Sequence, residues 1–368
     1  MSSTFFLLNL LLILPVACFA TEDYRKYSLD TTWQPQFPSG SDTFSAVGIN
    51  ADNHIFVTQR GNASIPPVLE LSYTGALISS WGKHTVALDG KHNTWGAHGL
   101  AVEDCKWSCA PGDKLAKTRI WIEDFTNHTV TAFSSNGTQL LQLGSPGVAG
   151  NGTSPPQFGN VADAVIITGE PNQSGQFGPS IVYATDGDGG RANRVIKLRV
   201  PNDASSGTAT TEWATGHVFH NPHSITMHPR SQFLVIADRE NMALKLIDSN
   251  SGEVLGTFDC GLSFGGTDYG VPFGVRTYSD AEDDLLFVAS MDNPQDHQRQ
   301  KISVLDVSGL NRKDGVRSKC SVLQTISIEP DKYSGPHLLG VSPFGDLYVA
   351  LVANSPLSTV LRYRRSQR

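Results

Sequence analysis

Six times along this chain a short apolar run opens, turns at Gly, Asp or Asn, and continues into a more hydrophobic run. The openings are Ser45-Ala-Val-Gly-Ile, His98-Gly-Leu-Ala-Val, Ala162-Asp-Ala-Val-Ile, His223-Ser-Ile-Thr-Met, Phe273-Gly-Val-Arg-Thr and His337-Leu-Leu-Gly-Val. The second runs are Ile55-Phe-Val-Thr, Arg119-Ile-Trp-Ile, Ile181-Val-Tyr-Ala, Phe233-Leu-Val-Ile, Leu286-Phe-Val-Ala and Leu347-Tyr-Val-Ala. A third follows each, as in Ala243-Leu-Lys-Leu-Ile and Val360-Leu-Arg-Tyr. Units of about 40 to 60 residues are too small to bury their own apolar faces and must stack as a propeller or solenoid. Four-stranded blades around a channel fit best.

No long stretch has apolar residues at helical spacing, and 35 glycines and 20 prolines punctuate the short β-branched and aromatic runs. That pattern predicts an all-β protein, a six-bladed β-propeller. The last unit stops after three strands. The segment Tyr27 to Trp33 is expected to supply its outer strand, closing the ring and leaving no open edge across it. The expected organisation is a signal segment over 1–20, the propeller over 21–364 and a short basic tail over 365–368. Arg362, Arg364, Arg365 and Arg368 read as a solvated tail rather than a binding patch. A formal charge of -7 without a basic stripe argues against nucleic acid, which needs clustered Lys and Arg.

Residues Phe5 to Phe19 are apolar but too few to span a bilayer, which takes about 20. Followed by Ala20 and a polar stretch, they read as a cleaved secretory signal. No other segment suggests a membrane span. The acceptor triplets at Asn62, Asn127, Asn136, Asn151 and Asn172 agree with a secreted glycoprotein. With Cys18 removed, Cys105, Cys109, Cys260 and Cys320 remain. In an oxidising compartment they suggest two disulfides, Cys105 with Cys109 inside one loop and Cys260 with Cys320 across neighbouring units. Free buried thiols are the alternative.

His98, His223 and His337 open the innermost strand of the second, fourth and sixth units. In the last two the step from histidine to the second-strand valine (Val235, Val349) is the same 12 residues. Alternate blades of a six-fold ring lie about 120° apart, so three side chains at one height converge on the axis. Three neutral imidazoles with an open position are a common catalytic zinc arrangement, although imidazole also suits copper, iron and nickel. The other eight histidines, including His217, His220 and His228, show no such register.

The loop after the second strand returns to the same face. It carries Arg60, Asp124, Asp186 with Asp188, and Arg239. Two arginines beside a metal suit a carboxylate, which a guanidinium matches bidentately. The structural alternative makes Asp238 and Asn241 turn residues and Arg239 an ion-pair partner. The Asp-Gly-Asp-Gly-Gly loop has carboxylates suited to calcium but no downstream acid at the spacing of a known calcium loop.

Pro222-His223-Ser-Ile followed by Val235-Ile-Ala-Asp-Arg-Glu-Asn resembles the NHL repeat, and more specifically the lyase domain of the peptide-amidating enzymes, the peptidyl-α-hydroxyglycine α-amidating lyases. The resemblance implies a six-bladed propeller with a three-histidine zinc site and a structural calcium, releasing a peptide amide and glyoxylate by carbon–nitrogen cleavage. His98, His223 and His337 match its zinc ligands, and Arg60 and Arg239 its active-site arginines. Three positions depart from the pattern. Asp188 follows Asp186-Gly187 where that family has its catalytic tyrosine, Leu338 stands where its calcium-binding aspartate falls, and Gly335 replaces a methionine. A carboxylate is not a phenol, and a base built on it has a different proton inventory. A closer resemblance, spanning nearly the whole mature chain, is to secreted NHL-repeat relatives of that lyase whose activity is not established. It rests on Gln59-Arg-Gly with Ile65-Pro, His128-Thr-Val, Leu143-Gly-Ser-Pro-Gly, Asp186-Gly-Asp-Gly-Gly with Asn193-Arg, and Pro336-His-Leu-Leu. It implies that Cys260 and Cys320 belong to a shared pattern, whereas Cys105 and Cys109 are peculiar to this chain.

Three functions follow as expectations. The first is a monomeric secreted propeller whose metal site binds a small peptide or carboxylate-bearing ligand. The second is a zinc-dependent lyase with Asp188 or metal-bound hydroxide as base. The third is a scaffold for an extracellular protein. The expected compartment is extracellular or a secretory granule lumen.

Overall fold

The computed structural model describes residues 25–89, 93–104, 118–169, 178–201, 208–265, 270–291, 300–330, 332–352 and 357–366. The signal segment, Cys105, Cys109, the Asn172 triplet and the last two residues of the chain lie outside them.

Six four-stranded antiparallel sheets stand around a common axis. Their innermost strands are Phe44–Ile49, Ala97–Asp104, Val161–Gly169, Pro222–Met227, Val271–Ser279 and Gly335–Val341. Blades 1 to 5 each run outward through four consecutive strands. Blade 6 has three of its own, and Tyr27–Leu29 completes it by pairing with Val360–Arg365 in the register Tyr27 to Arg365. The N-terminal strand thus closes the ring as expected. Among the described residues helix is confined to two short 3-10 turns, Arg239–Asn241 and Gly315–Arg317.

The second strand of each blade is apolar at nearly every position because both of its faces are covered. Successive side chains point to opposite faces of a sheet. In blade 4, Leu234 and Ile236 enter the interface with blade 3, while Phe233, Val235 and Ala237 enter the interface with blade 5. In blade 1, Ile55 and Val57 face blade 6 and Phe56 faces blade 2. The core is therefore a ring of interfaces between neighbouring blades.

The basic C-terminus is not a solvated tail over the described residues. Arg362 is buried, donates to Asp30 and to the carbonyl of Tyr73, and lies 5.4 Å from the ring of Trp33. Arg364 also pairs with Asp30, at 2.8 Å. Arg365 belongs to the last strand and pairs with Asp280 at 2.9 Å and with Asp283. These charges secure the seam where the two ends of the chain meet, which a linear reading of a terminal arginine cluster cannot reveal.

Cys260 and Cys320 form a disulfide across 60 residues, joining the connection after blade 4 to the outer strand of blade 5. Cross-linking a loop of this length restricts the unfolded chain. The double variant Cys260→Ser/Cys320→Ser is expected to lose about 2–4 kcal/mol in urea denaturation. Reducing agent should lower the wild-type midpoint to meet it; a variant as stable as the oxidised protein would contradict this.

Candidate metal centre

In every blade the innermost strand slips register against the second strand near its start. The slips fall between Phe44 and Ala46, Ala97 and Gly99, Val161 and Asp163, Pro222 and Ser224, Pro272 and Gly274, and Pro336 and Leu339. The residues left out of the ladder are Ser45, His98, Ala162, His223, Phe273 and, in blade 6, His337 with Leu338. A bulge frees its extra residue from strand pairing and re-aims its side chain. These bulges at the strand starts give a ring of six re-aimed positions, one in each blade.

The ring alternates in chemistry. Blades 2, 4 and 6 contribute imidazoles, and each Nδ1 meets the bulge carbonyl of the next blade. His98 Nδ1 lies 2.8 Å from Ala162 O, His223 Nδ1 2.8 Å from Phe273 O, and His337 Nδ1 2.6 Å from Ser45 O. A carbonyl only accepts, so each Nδ1 carries the proton and each Nε2 keeps a lone pair. All three histidines are buried, and their ring centroids are 4.7, 4.8 and 4.9 Å apart. Their ligand atoms lie within 4.8 Å of one another. Glycine lets the inner strands of blades 5 and 6 come together here: a Cβ on Gly274 would fall 2.2 Å from the carbonyl oxygen of His337.

Burial, reinforced by Arg239 and His98, holds the His223 pKa well below the usual imidazole range. Burial, with His223 and His98 beside it, does the same to His337. Both rings therefore stay neutral, the state in which imidazole ligates a metal. Nε2 of His223 is buried with no hydrogen-bond partner.

Three of the loop residues expected at this mouth reach it. Asp188 Oδ2 is 3.3 Å from His98 Nε2, and Asp188 Oδ1 accepts from Arg239 Nη1 at 3.3 Å. Burial opposes the Asp188 charge. The neighbouring Arg239 guanidinium favours it. Arg239 also pairs with Glu240 and lies over the ring of Phe273 at 5.0 Å. Arg60 donates Nε to the carbonyl of Trp95 and lies 6.0 Å from the ring centroid of Phe125. Burial lowers the Arg60 pKa, offset in part by Asp188, Asp124 and Asp89.

The remaining loop acids serve the backbone. Asp124 accepts from the amides of Ala87 and Asn127, and burial pushes its carboxyl up to about 6. Asp186 accepts from the amides of Gly159 and Asn160 and pairs with Arg194. Asp238 accepts from the His220 amide, Asn241 and Lys245, the turn role foreseen for it.

Sequence reasoning missed four contributors. Phe125 stacks on His98 at 6.2 Å, and Phe273 meets His223 edge-on at 5.0 Å. With its amide oriented to satisfy both neighbours, Asn221 accepts from Arg239 and donates to the Gly187 carbonyl. The carbonyl of Ala162 was the fourth. Residues at the histidine register in the odd blades would have pointed to Ala162 and Phe273, but not to Phe125 or Asn221.

One residue further along the inner strand of blade 3, Asp163 binds Arg276 of blade 5 bidentately, at 2.7 and 2.8 Å, and accepts from Ser224 Oγ of blade 4 at 2.6 Å. Arg276 borders a cavity of about 170 Å³ along the channel, walled otherwise by residues such as Val47, Leu100 and Val341. Near Asp163, the fully buried Glu123 has no hydrogen-bond partner for either side-chain oxygen. Burial, with Asp163 adding repulsion, raises its pKa well above the usual value. Folding then favours the protonated acid, so its contribution is complete below the unfolded glutamate pKa of about 4.3 and is lost as pH rises through the folded value. Glu123→Gln lacks this loss. Its stability relative to wild type, followed by urea denaturation, should rise as pH increases above about 4.3; a pH-independent difference would contradict the assignment.

The triad fits zinc in its donors: three buried imidazoles, each held in one tautomer by a carbonyl at Nδ1. The residue matched to the calcium ligand does not fit that ion, since Leu338 is wholly buried in apolar packing with Ala46 and Leu100. Calcium takes oxygen ligands, and leucine offers none.

Six stacked sheets around a histidine-lined axis define a β-propeller. A solved gluconolactonase of Xanthomonas campestris shares this fold at a TM-score of 0.51 and 10% identity, the match covering 88% of this chain and 86% of that one. No family model matches the sequence. NHL repeat-containing protein 3 of Homo sapiens is 30% identical over 333 residues, covering 88% of this chain and 81% of that protein. The Mus musculus protein of the same name is 31% identical over the same shares. The chain belongs to the NHL repeat-containing protein 3 family.

Proposed function

We propose that this is a secreted, glycosylated propeller whose three histidines hold a divalent metal, and that its channel mouth binds a peptide or carboxylate-bearing ligand. The observation that carries the metal reading is the alternation of imidazoles around the ring of bulges. Each imidazole is tied through Nδ1 to the next blade, which leaves three Nε2 lone pairs to converge. Zinc is the first choice by donor type, and when bound it supplies a Lewis acid at the mouth. Arg60 and Arg239 offer the guanidinium partners for a carboxylate, and Phe125 and Phe273 the apolar surface beside them. Secretion is supported by the signal-like leader, the Cys260–Cys320 disulfide and the acceptor triplets. Asn136 and Asn151 are exposed, whereas Asn62 and Asn127 are half-buried.

Metal analysis of the purified, dialysed mature protein tests this reading. About one zinc per chain is expected, the triad being a single mononuclear set; a protein that neither retains nor takes up metal overturns it. The match of the triad and both arginines to the amidating lyases favours a second reading, peptidyl-α-hydroxyglycine cleavage with Asp188 as base. Glyoxylate released by the metal-loaded protein from an α-hydroxyglycine peptide would establish it. Metal-loaded protein without glyoxylate leaves the binding function.

A further inference from the structure

We infer that Asp188 is the fourth protein ligand of the metal centre, so that the site is closed by three imidazoles and one carboxylate rather than left open. The inference rests on the metal reading above and concerns what completes the ligand set. Ligands about 2.0–2.2 Å from a tetrahedral metal stand about 3.3–3.5 Å from each other. Asp188 Oδ2 is already 3.3 Å from His98 Nε2. With the His98 proton held at Nδ1 by the Ala162 carbonyl, both of these atoms are acceptors, and a cation between them is what their approach calls for.

The loop is built to hold it there. The Asp188 amide donates to the Asn160 carbonyl, and so does the amide of Gly187. Gly187 packs against Pro222, where a Cβ would fall 2.3 Å from the proline ring, and the Gly187 carbonyl receives the Asn221 amide. Arg239 takes the other carboxylate oxygen, leaving Oδ2 for the axis. A carboxylate whose second oxygen is engaged by a donor is the ordinary outer-shell arrangement of a metal ligand.

The consequence is functional. Structural metal sites are closed by protein ligands, whereas catalytic ones keep a position for water or substrate. Here the chain's own carboxylate occupies the place that a ligand's carboxylate would take between metal and Arg239. Arg60, not paired with Asp188 by a direct contact, is then the guanidinium left to receive an incoming anion.

Cobalt(II) loaded into the full mature protein reads this out through its ligand-field absorption and, by competition with a chelator, its affinity. Asp188→Ala should bind cobalt at least about 10-fold more weakly, since outer-shell partners alone are worth about 10–100-fold. Its spectrum should change, and added acetate should return it toward that of wild type, which itself ignores acetate. Asp188→Asn, which keeps the shape of the loop, should show the same weakening. Equal affinity and spectra in wild type and both Asp188 variants would overturn the inference while leaving the metal reading intact. Absence of cobalt binding by wild type and by His223→Ala alike would overturn both.

Discussion

Arg276→Met is expected to destabilise the protein by about 3–5 kcal/mol, the cost of leaving a buried carboxylate without its cation. Asp163 is fully buried, and its partner's side chain is only 16% exposed. The guanidinium donates to both Asp163 oxygens and to the carbonyls of Ile225 and Val275, at 3.1 and 2.8 Å. It therefore ties blades 3, 4 and 5 together at their innermost strands. Methionine fills much of the same volume, so the loss reports the charge rather than a void. The double variant Asp163→Leu/Arg276→Met removes both charges, and apolar replacements of a buried pair are often neutral or stabilising. It should recover most of the single-variant loss in urea denaturation. Additive losses would show that the two charges do not stabilise one another in the fold.

His337→Ala is expected to abolish retention of metal through dialysis, with affinity falling more than about 100-fold, beyond the range of outer-shell changes. The rest of the molecule should tolerate the change. What the variant loses in the absence of metal is one hydrogen bond to the Ser45 carbonyl, worth about 1 kcal/mol, together with some packing. The two effects separate in thermal unfolding. Added zinc at about 100 times its dissociation constant should stabilise wild type by about 2.7 kcal/mol and leave the variant unmoved. Equal zinc stabilisation of the two proteins would mean that the ion binds elsewhere.

Much of this architecture was legible because a propeller repeats its physics. Each second strand is covered on both faces, so Ile55-Phe-Val, Phe233-Leu-Val and Leu347-Tyr-Val each write the same burial into the sequence. The three histidines were found as a register in that repeat. The ring also needed a twenty-fourth strand for its six sheets, and Tyr27–Leu29 supplied it. Arg362, Arg364 and Arg365 were misjudged because their partners, Asp30, Asp280 and Asp283, are remote in sequence and are brought near only when the ring closes.

The sequence by itself determined the repeat, the blade number and the alternate placement of three imidazoles, all of which depend on local pattern and spacing. Only the tertiary structure decided what those imidazoles can do. The carbonyl that fixes each tautomer and the turn that brings Asp188 to His98 are relations between neighbouring blades. They arise where separately encoded sheets pack, and no single stretch of sequence contains both partners.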